Sequence, residues 1–447
     1  MRIFKLLGYA IGCAVLGIAG CSPTSQTQFG PTTSSNHSGP GNTSATENVL
    51  YSFGGSPDIN GPIGGVVADA KGNLYGTATN GGAKNWGGVF RLTRTGSSYV
   101  EDTLYTFNGG SDGGVPWTGL YIDSAGSLYG TTLDGGISSG CCGTVFELTP
   151  YASGYTKTTL YTFQGGSDGA GPTGTLIADS TGALYGITQG GGDASGDGTV
   201  YKLTPSASGY SETVLYRFQN CRASGNSCDG ASPNAGLYRN SSGALFGTTL
   251  YGGEYFCTSG NRCGTVFELA PTGSTYQESV IHYFTGGPDG ANPQSVLIAD
   301  KTGNLYGTTT LGGGAKNSDC NLGSVIRGCG TIFKLSHGPK GYKESVLYAF
   351  QGGTDGAFPQ AGLIAGASGD YYGTTQNGGT GGAGGFGTVF ELVGKQKQYS
   401  ESVLYTFQGQ PDGQNPRAAV IDVGGVLYGT TYYGGQSGYG SVFDVTP

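Results

Sequence analysis

The stretch LYTFQGGSDGAGPTGTLIADSTGALYGITQGGGDASGDGTVYKL, Leu160 to Leu203, decides the fold, because its parts recur seven times in a chain of 447 residues. Three landmarks keep one order in every copy. An LYxF block begins at Leu50, Leu104, Leu160, Leu215, Ile281, Leu347 and Leu404. An LYG block puts its glycine at Gly76, Gly130, Gly186, Gly247, Gly307, Gly373 and Gly429. A G-x-[VI]-[FY] block ends on Phe90, Phe146, Tyr201, Phe267, Phe333, Phe390 and Phe443. Successive LYxF blocks lie 54, 56, 55, 66, 66 and 57 residues apart, a period that marks a repeat architecture.

A fourth apolar block, such as Leu176-Ile177-Ala178 or Leu297-Ile298-Ala299, lies between the first two landmarks. All four blocks are short, rich in Leu, Ile, Val, Tyr and Phe, and bounded by Gly, Pro, Asp or Ser, which is strand-and-turn composition. Apolar residues at helical spacing are missing after the N-terminal segment. Four strands per unit and seven units predict an all-β chain, a seven-bladed β-propeller of four-stranded antiparallel blades. We label the strands A (GLIAD), B (LYGTT), C (GTVFKL) and D (LYxF). The chain opens on a D strand, Val49 to Phe53, and closes on a C strand, Ser441 to Val445. With strand A innermost, the N-terminal strand completes the last blade and protects its edge. The competing phase has D innermost and no shared blade. In the first phase the propeller occupies 47–447, with blades at 62–107, 116–163, 172–218, 233–284, 293–350, 359–407 and 416–447 plus 47–53.

Glycine (91) and proline (18) together reach a level that suggests disorder, but the glycines recur at fixed offsets and therefore belong to turns. Charged residues are 11% of the chain, the net charge is −8 and no basic run occurs, which argues against nucleic acid as a partner. Residues 1–21 read as a lipoprotein signal peptide: Arg2 and Lys5, an apolar run, then Ile18-Ala19-Gly20-Cys21. That tetrapeptide resembles a lipobox, which makes Cys21 the expected lipid anchor. An ordinary signal peptide cut nearby is the alternative. Residues 22–46 hold no Asp, Glu, Lys or Arg and read as a flexible Ser/Thr/Gly/Pro tether, with a reach of roughly 25–30 Å.

Each D–A connection carries an aspartate four residues before a proline: Asp58, Asp112, Asp168, Asp229, Asp289, Asp355 and Asp412. Followed by glycine in six copies, the aspartate is expected to organise a turn. Seven carboxylates gathered for a metal or substrate is the other reading, and sevenfold repetition favours the turn. D–A and B–C connections should emerge on one face of a propeller. All eight cysteines beyond Cys21 fall in these connections, and an even number in an exported chain points to disulfides. The expected pairs are Cys221–Cys228, Cys257–Cys263 and Cys320–Cys329, with a vicinal Cys141–Cys142 bridge left open. Zinc is disfavoured because the loops contain no histidine, and no metal or cofactor is expected.

The same face should collect Trp86, Trp117, Tyr255, Phe256 and Arg262, while the fourth repeat breaks symmetry with Arg222 and Arg239. These seven are the candidate ligand-binding residues, since aromatic planes beside polar groups suit sugar rings. Loops stapled only for stability are the bland alternative. Catalytic groups are scarce. His282 replaces the tyrosine of an LYxF block and reads as a packed strand residue. The G-x-S-x-G matches at Gly109, Gly136 and Gly165 lie in turns or loops, without the strand-to-helix elbow that such a nucleophile needs.

The unit as a whole resembles the GloVer tandem repeat of bacterial extracellular proteins, over roughly residues 47 to 447, and its A-turn-B text resembles NHL-type propellers. The resemblance implies an exported, surface-attached protein, with different anchors in different members. It carries over no activity and no catalytic residue. The resulting expectation is a lipid-anchored, monomeric, non-catalytic binding or scaffold module at the cell surface or outer membrane, for a polysaccharide or a surface protein. A polysaccharide lyase or hydrolase on the loop-rich face is the alternative.

Overall fold

A computed structural model of the chain describes residues 45–137, 141–219, 228–258, 261–314, 320, 328–380, 384–395 and 398–447. The signal segment, Cys21 and nearly all of the tether lie outside these, as do Cys221 and Arg222. Among the described residues there is no α-helix, only strands and two short 3-10 turns, Gly110–Asp112 and Gly353–Asp355.

The third repeat shows the unit in full. Ala170–Ala178 (A), Leu184–Gly190 (B), Thr199–Ser206 (C) and Gly209–Arg217 (D) form one antiparallel sheet in that order. Each other repeat builds the same sheet, giving seven in a propeller ring. Strand A is shorter than its apolar text suggests. In blades 1, 2 and 6 only two of its residues pair with strand B, as at Tyr121–Ile122 and Ile364–Ala365, and in blades 4 and 5 it is broken into two pieces, Cys228–Pro233 with Tyr238–Arg239 and Ala291–Pro293 with Ile298–Ala299. The reason is a bulged approach from the D–A turn, visible in blade 3 as a register shift between Thr173 and Ile177.

Closure follows the phase in which the N-terminal strand completes the last blade. Thr46–Ser52 pairs antiparallel with Ser441–Thr446, with Glu47 opposite Val445 and Val49 opposite Phe443. The ring is therefore latched by backbone hydrogen bonds between the two ends of the propeller.

Strand A lies innermost, because its approach segments meet backbone to backbone around the ring. A Cβ on Gly64 would fall 2.5 Å from the Thr118 carbonyl carbon, one on Gly174 2.7 Å from that of Ala235, and one on Gly362 2.8 Å from the Val296 oxygen. Side-chain hydroxyls sew the same joints. Thr77 donates to the Thr118 carbonyl at 2.7 Å, Thr308 to Ala361 at 2.9 Å, and Thr430 to Gly64 at 3.0 Å across the closure. Where blade 3 has Ile187 in place of this threonine, Thr173 makes the bond to Pro233 instead.

The phenylalanine ending each LYxF block is buried and meets the C-strand aromatic of the next blade edge-on. The seven pairs are Phe53–Phe90, Phe107–Phe146, Phe163–Tyr201, Phe218–Phe267, Phe284–Phe333, Phe350–Phe390 and Phe407–Phe443, with centroids 5.0–5.3 Å apart. Each is worth about 0.5–1.5 kcal/mol beyond its buried area. The LYG glycine lies beneath the same C-strand ring: a Cβ at Gly247 would sit 2.5 Å from Phe267 Cζ. The landmarks that define the repeat in sequence are thus one contact, made seven times.

Candidate functional site

The loop-rich face is built on a further repeated position. The residue immediately before the glycine of G-x-[VI]-[FY] is Trp86, Cys142, Asp197, Cys263, Cys329, Phe386 or Tyr439. Its carbonyl accepts, at 2.8–2.9 Å, the backbone N–H of the residue preceding the D–A proline: Val115, Gly171, Ser232, Asn292, Phe358, Asn415 and Gly61 respectively. All seven donors have φ between 52° and 68°. For the five that are not glycine, Val115, Ser232, Asn292, Phe358 and Asn415, the left-handed backbone is uncommon and is held by this bond.

The side chain at that position covers the glycines of the following turn. Trp86 lies against Gly109 and Gly114, the Cys141–Cys142 pair against Gly165, Cys257 and Cys263 against Gly286, Phe386 against Gly409 and Tyr439 against Gly55. D–A and B–C connections therefore share one face, as the repeat phase requires. In blades 1 and 7 they even pair as short strands, Ile59–Asn60 with Asn80–Gly81 and Gly413–Gln414 with Tyr433–Gly434. The cysteines fill a slot that aromatic rings fill elsewhere. Cys257–Cys263 and Cys320–Cys329 are bridged, and the vicinal Cys141–Cys142 pair is bridged as well. Cys228 is disulfide-bonded, with Cys221 outside the described residues.

The D–A aspartates are turn organisers. Each takes the backbone N–H of the residue four positions before it, or in blade 4 that of Gln219. Six also accept the hydroxyl of the LYxF tyrosine, as in Tyr105–Asp112 at 2.7 Å and Tyr405–Asp412 at 2.9 Å. The seventh faces His282. These carboxylates are thus spread around the ring rather than gathered, and no cluster of metal-ligating side chains occurs among the described residues.

The sequence-predicted binding residues do not form one constellation. Trp86 is half-buried in its slot, and Trp117 is half-buried at the approach to strand A. Arg262 is buried: it donates to the Glu254 carbonyl at 2.7 Å and stacks on Phe256 with its guanidinium 4.3 Å from the ring centre. Tyr255 and Phe256 are exposed, at 46% and 62%. Arg239 stands apart from the loop-rich face. It sits directly before the A–B hairpin, at the other end of strand A, with its guanidinium 5.7 Å from the Tyr185 ring.

What sequence reasoning missed is a cleft between blades 6 and 7. Phe386 from one B–C loop, Gly409, Gln410 and Gln414 from the D–A turn, and Tyr433, Gly434 and Gly438 from the next B–C loop line this open, solvent-facing depression of about 510 Å³. Two aromatic side chains and two primary amides line it, and among the described residues that line it there is no carboxylate, ammonium or guanidinium. Asp412 lies in the same turn, but its carboxylate is occupied by Tyr405, the Gln408 N–H and the Gly413 N–H, and burial raises its pKa. Tyr433 is 45% exposed and packs edge-on against Tyr432 at 4.5 Å, on which Arg417 stacks in turn at 4.6 Å. The Tyr433 ring is thereby held in place while one side stays open to solvent.

Comparison with known proteins places this architecture. The model of the Gloeobacter/Verrucomicrobia repeat matches residues 39–258, 220–384 and 320–447. The chain belongs to the Gloeobacter/Verrucomicrobia repeat family. No curated protein is matched by the sequence. Among solved structures, this repeat-family chain is similar to one described as the extracellular domain of a hybrid two-component system from B. thetaiotaomicron, at 13% identity and TM-score 0.51, covering 88% of this chain and 39% of that one. It is also similar to a protein from Lactobacillus plantarum, at 16% identity and TM-score 0.50, covering 80% and 86% of the two chains. At these identities the likeness is one of fold.

Proposed function

We propose that the protein is an exported, lipid-anchored propeller that acts as a non-catalytic binding module for a neutral polysaccharide, taken in the cleft between blades 6 and 7. The observation that carries this reading is the lining of that cleft. Sugar rings present apolar faces that stack on aromatic planes such as Phe386 and Tyr433, and hydroxyls that primary amides such as Gln410 and Gln414 can both donate to and accept from. An uncharged lining favours an uncharged ligand, since an acidic saccharide would be desolvated there without a counter-charge.

Export is supported by the cystine-bridged loops, which suit an oxidising compartment. The lipobox-like Ile18-Ala19-Gly20-Cys21 supplies the anchor in this reading, and the uncharged residues 22–46 link it to the propeller. The test uses the purified protein and a panel of neutral and acidic polysaccharides, with retention and product release recorded in the same samples. Retention on neutral polymers without product, lost in Tyr433→Ala, is the expected result. Product release would replace the binding reading with the enzymatic one.

A further inference from the structure

The outer strands hold a second repeated pattern that the binding reading does not use. In every D strand the residue opposite the conserved C-strand aliphatic is Glu101, Lys157, Glu212, Glu278, Glu344, Glu401 or Glu47, in one register all round the ring. Each side chain reaches back to the Tyr–Asp (or His–Asp) turn of the preceding D strand. Lys157 shows the geometry most plainly. Its side chain is only 6% exposed, and its ammonium lies 3.1 Å from Asp112 Oδ1 and 2.8 Å from the Asp112 carbonyl.

At the other six joints a carboxyl group stands where that ammonium stands. Glu401 stands opposite Leu392 in this register and faces Asp355, whose negative charge disfavours a second carboxylate beside it. The hydroxyls of Tyr405, Tyr51, Tyr216 and Tyr348 at these joints donate to Asp412, Asp58, Asp229 and Asp355. One carboxyl oxygen of Glu47, Glu212, Glu278, Glu344 and Glu401 is buried with no hydrogen-bond partner, a position that is costly for a carboxylate and far less so for a neutral acid. We propose that these six glutamates are neutral-acid clamps, which hold a proton at the joint between neighbouring blades in mild acid and loosen the joint as the pH rises and the proton is lost.

The surroundings of each glutamate support the direction. Burial is the leading cause at every one, followed by the neighbouring aspartate at Glu47 (Asp412), Glu212 (Asp168), Glu278 (Asp229) and Glu344 (Asp289). Asp444 adds to Glu47, and Asp58 and Asp102 add to Glu101, where Thr103 and Tyr51 oppose the shift. Glu47 is pushed up to about 8, and Glu101, Glu212, Glu278 and Glu344 to about 7. Glu401 is raised by the same causes. Arg217 opposes the shift at Glu212, and His282, whose pKa burial lowers, faces Asp289 at the Glu344 joint. A carboxyl whose pKa is raised on folding contributes stability that is complete below its ordinary value near 4.5 and is lost as pH rises through the folded value. Five of these values put the loss between about pH 5 and pH 8.

Thermal unfolding of the purified protein from pH 5 to pH 9 at constant ionic strength tests this. The unfolding temperature should be highest near pH 5 and fall by several degrees by pH 8.5. The triple variant Glu212→Gln, Glu278→Gln, Glu344→Gln should match the wild type at pH 5, exceed it at pH 8.5 and show a shallower slope. Glu344→Gln alone gives a smaller change of the same sign, should the triple variant fold poorly. A wild-type temperature that is flat or rises over this range overturns the proposal, and so does a glutamine variant with an unchanged slope. If chelator lowers the unfolding temperature at pH 8.5 and calcium restores it, the joints hold a metal ion rather than a proton, and the proposal fails.

Discussion

His282 Nε2 lies 3.8 Å from Asp289 Oδ2, at the point where six other blades place a tyrosine hydroxyl donating to the equivalent aspartate. Its ring packs edge-on to Phe284 at 4.6 Å, so the histidine fills the tyrosine's space without its hydrogen bond. Burial lowers its pKa, and Asp289 only partly opposes this. A group held neutral in this way contributes stability above its ordinary value of 6.5 that is lost as pH falls through the lowered one. His282→Tyr should therefore stabilise the propeller by about 0.5–1.5 kcal/mol at pH 8, from the restored bond, and by more at pH 5. Chemical denaturation at the two pH values checks both the sign and the difference.

Gly247 lies under the Phe267 ring, and a Cβ there would meet ring atoms at 2.5 and 2.9 Å. Gly247→Ala should cost about 1–3 kcal/mol by overpacking, because both elements are sheet strands with little room to shift. A surface glycine such as Gly166, with open space around its Cβ position and, like Gly247, no left-handed φ, gives the comparison for backbone effects alone. Equal losses in the two variants would contradict the close-approach explanation.

Thr188 and Thr199 share a buried hydroxyl pair at 2.8 Å, and Thr188 also donates to the Gly190 carbonyl at 2.9 Å. Blade 1 lacks both hydroxyls, with Ala78 opposite Gly88 in the same register. Thr188→Val should cost about 1–3 kcal/mol, since it strands the Thr199 hydroxyl, and Thr199→Val less, since Thr188 keeps a partner. The double variant should cost less than the sum of the two. A double-mutant cycle by urea denaturation measures the coupling directly.

Asp179 caps the A–B hairpin of blade 3. Burial disfavours its charge, but bonds from Thr181, Tyr185 and the Ala183 N–H outweigh that and hold its pKa at about 2. Stability from this group is present above its ordinary value near 4 and is lost as pH falls toward 2. Asp179→Asn should therefore flatten the acid limb of the stability curve below pH 4 and leave the slope above pH 5 unchanged.

The fold was legible because the landmarks are chemically conspicuous. LYxF, LYG and G-x-[VI]-[FY] each supply one side of a single buried contact, so their order alone implied the blade. The end-to-end latch followed from the phase, with Val49 placed opposite Phe443. The slot occupied by Trp86, Cys142, Asp197, Cys263, Cys329, Phe386 and Tyr439 was not legible, since what repeats there is a carbonyl and a left-handed turn rather than a side chain. The cleft was hidden for a different reason. Phe386, Gln410, Gln414 and Tyr433 come from two blades, and each looks like an ordinary loop residue until ring geometry brings them together. Arg239 drew attention as a symmetry-breaking charge, but a strand has two ends and its position next to the Asn240 hairpin sends it to the far one.

Calorimetric titration of neutral oligosaccharides into the wild type and into a Gln414→Ala, Tyr433→Ala double variant tests the central claim most directly. The account predicts saturable binding of at least one neutral oligosaccharide by the wild type, weakened at least tenfold in the double variant while its unfolding temperature stays within a few degrees. Wild-type affinity retained in the double variant, or binding confined to acidic oligosaccharides, would contradict it.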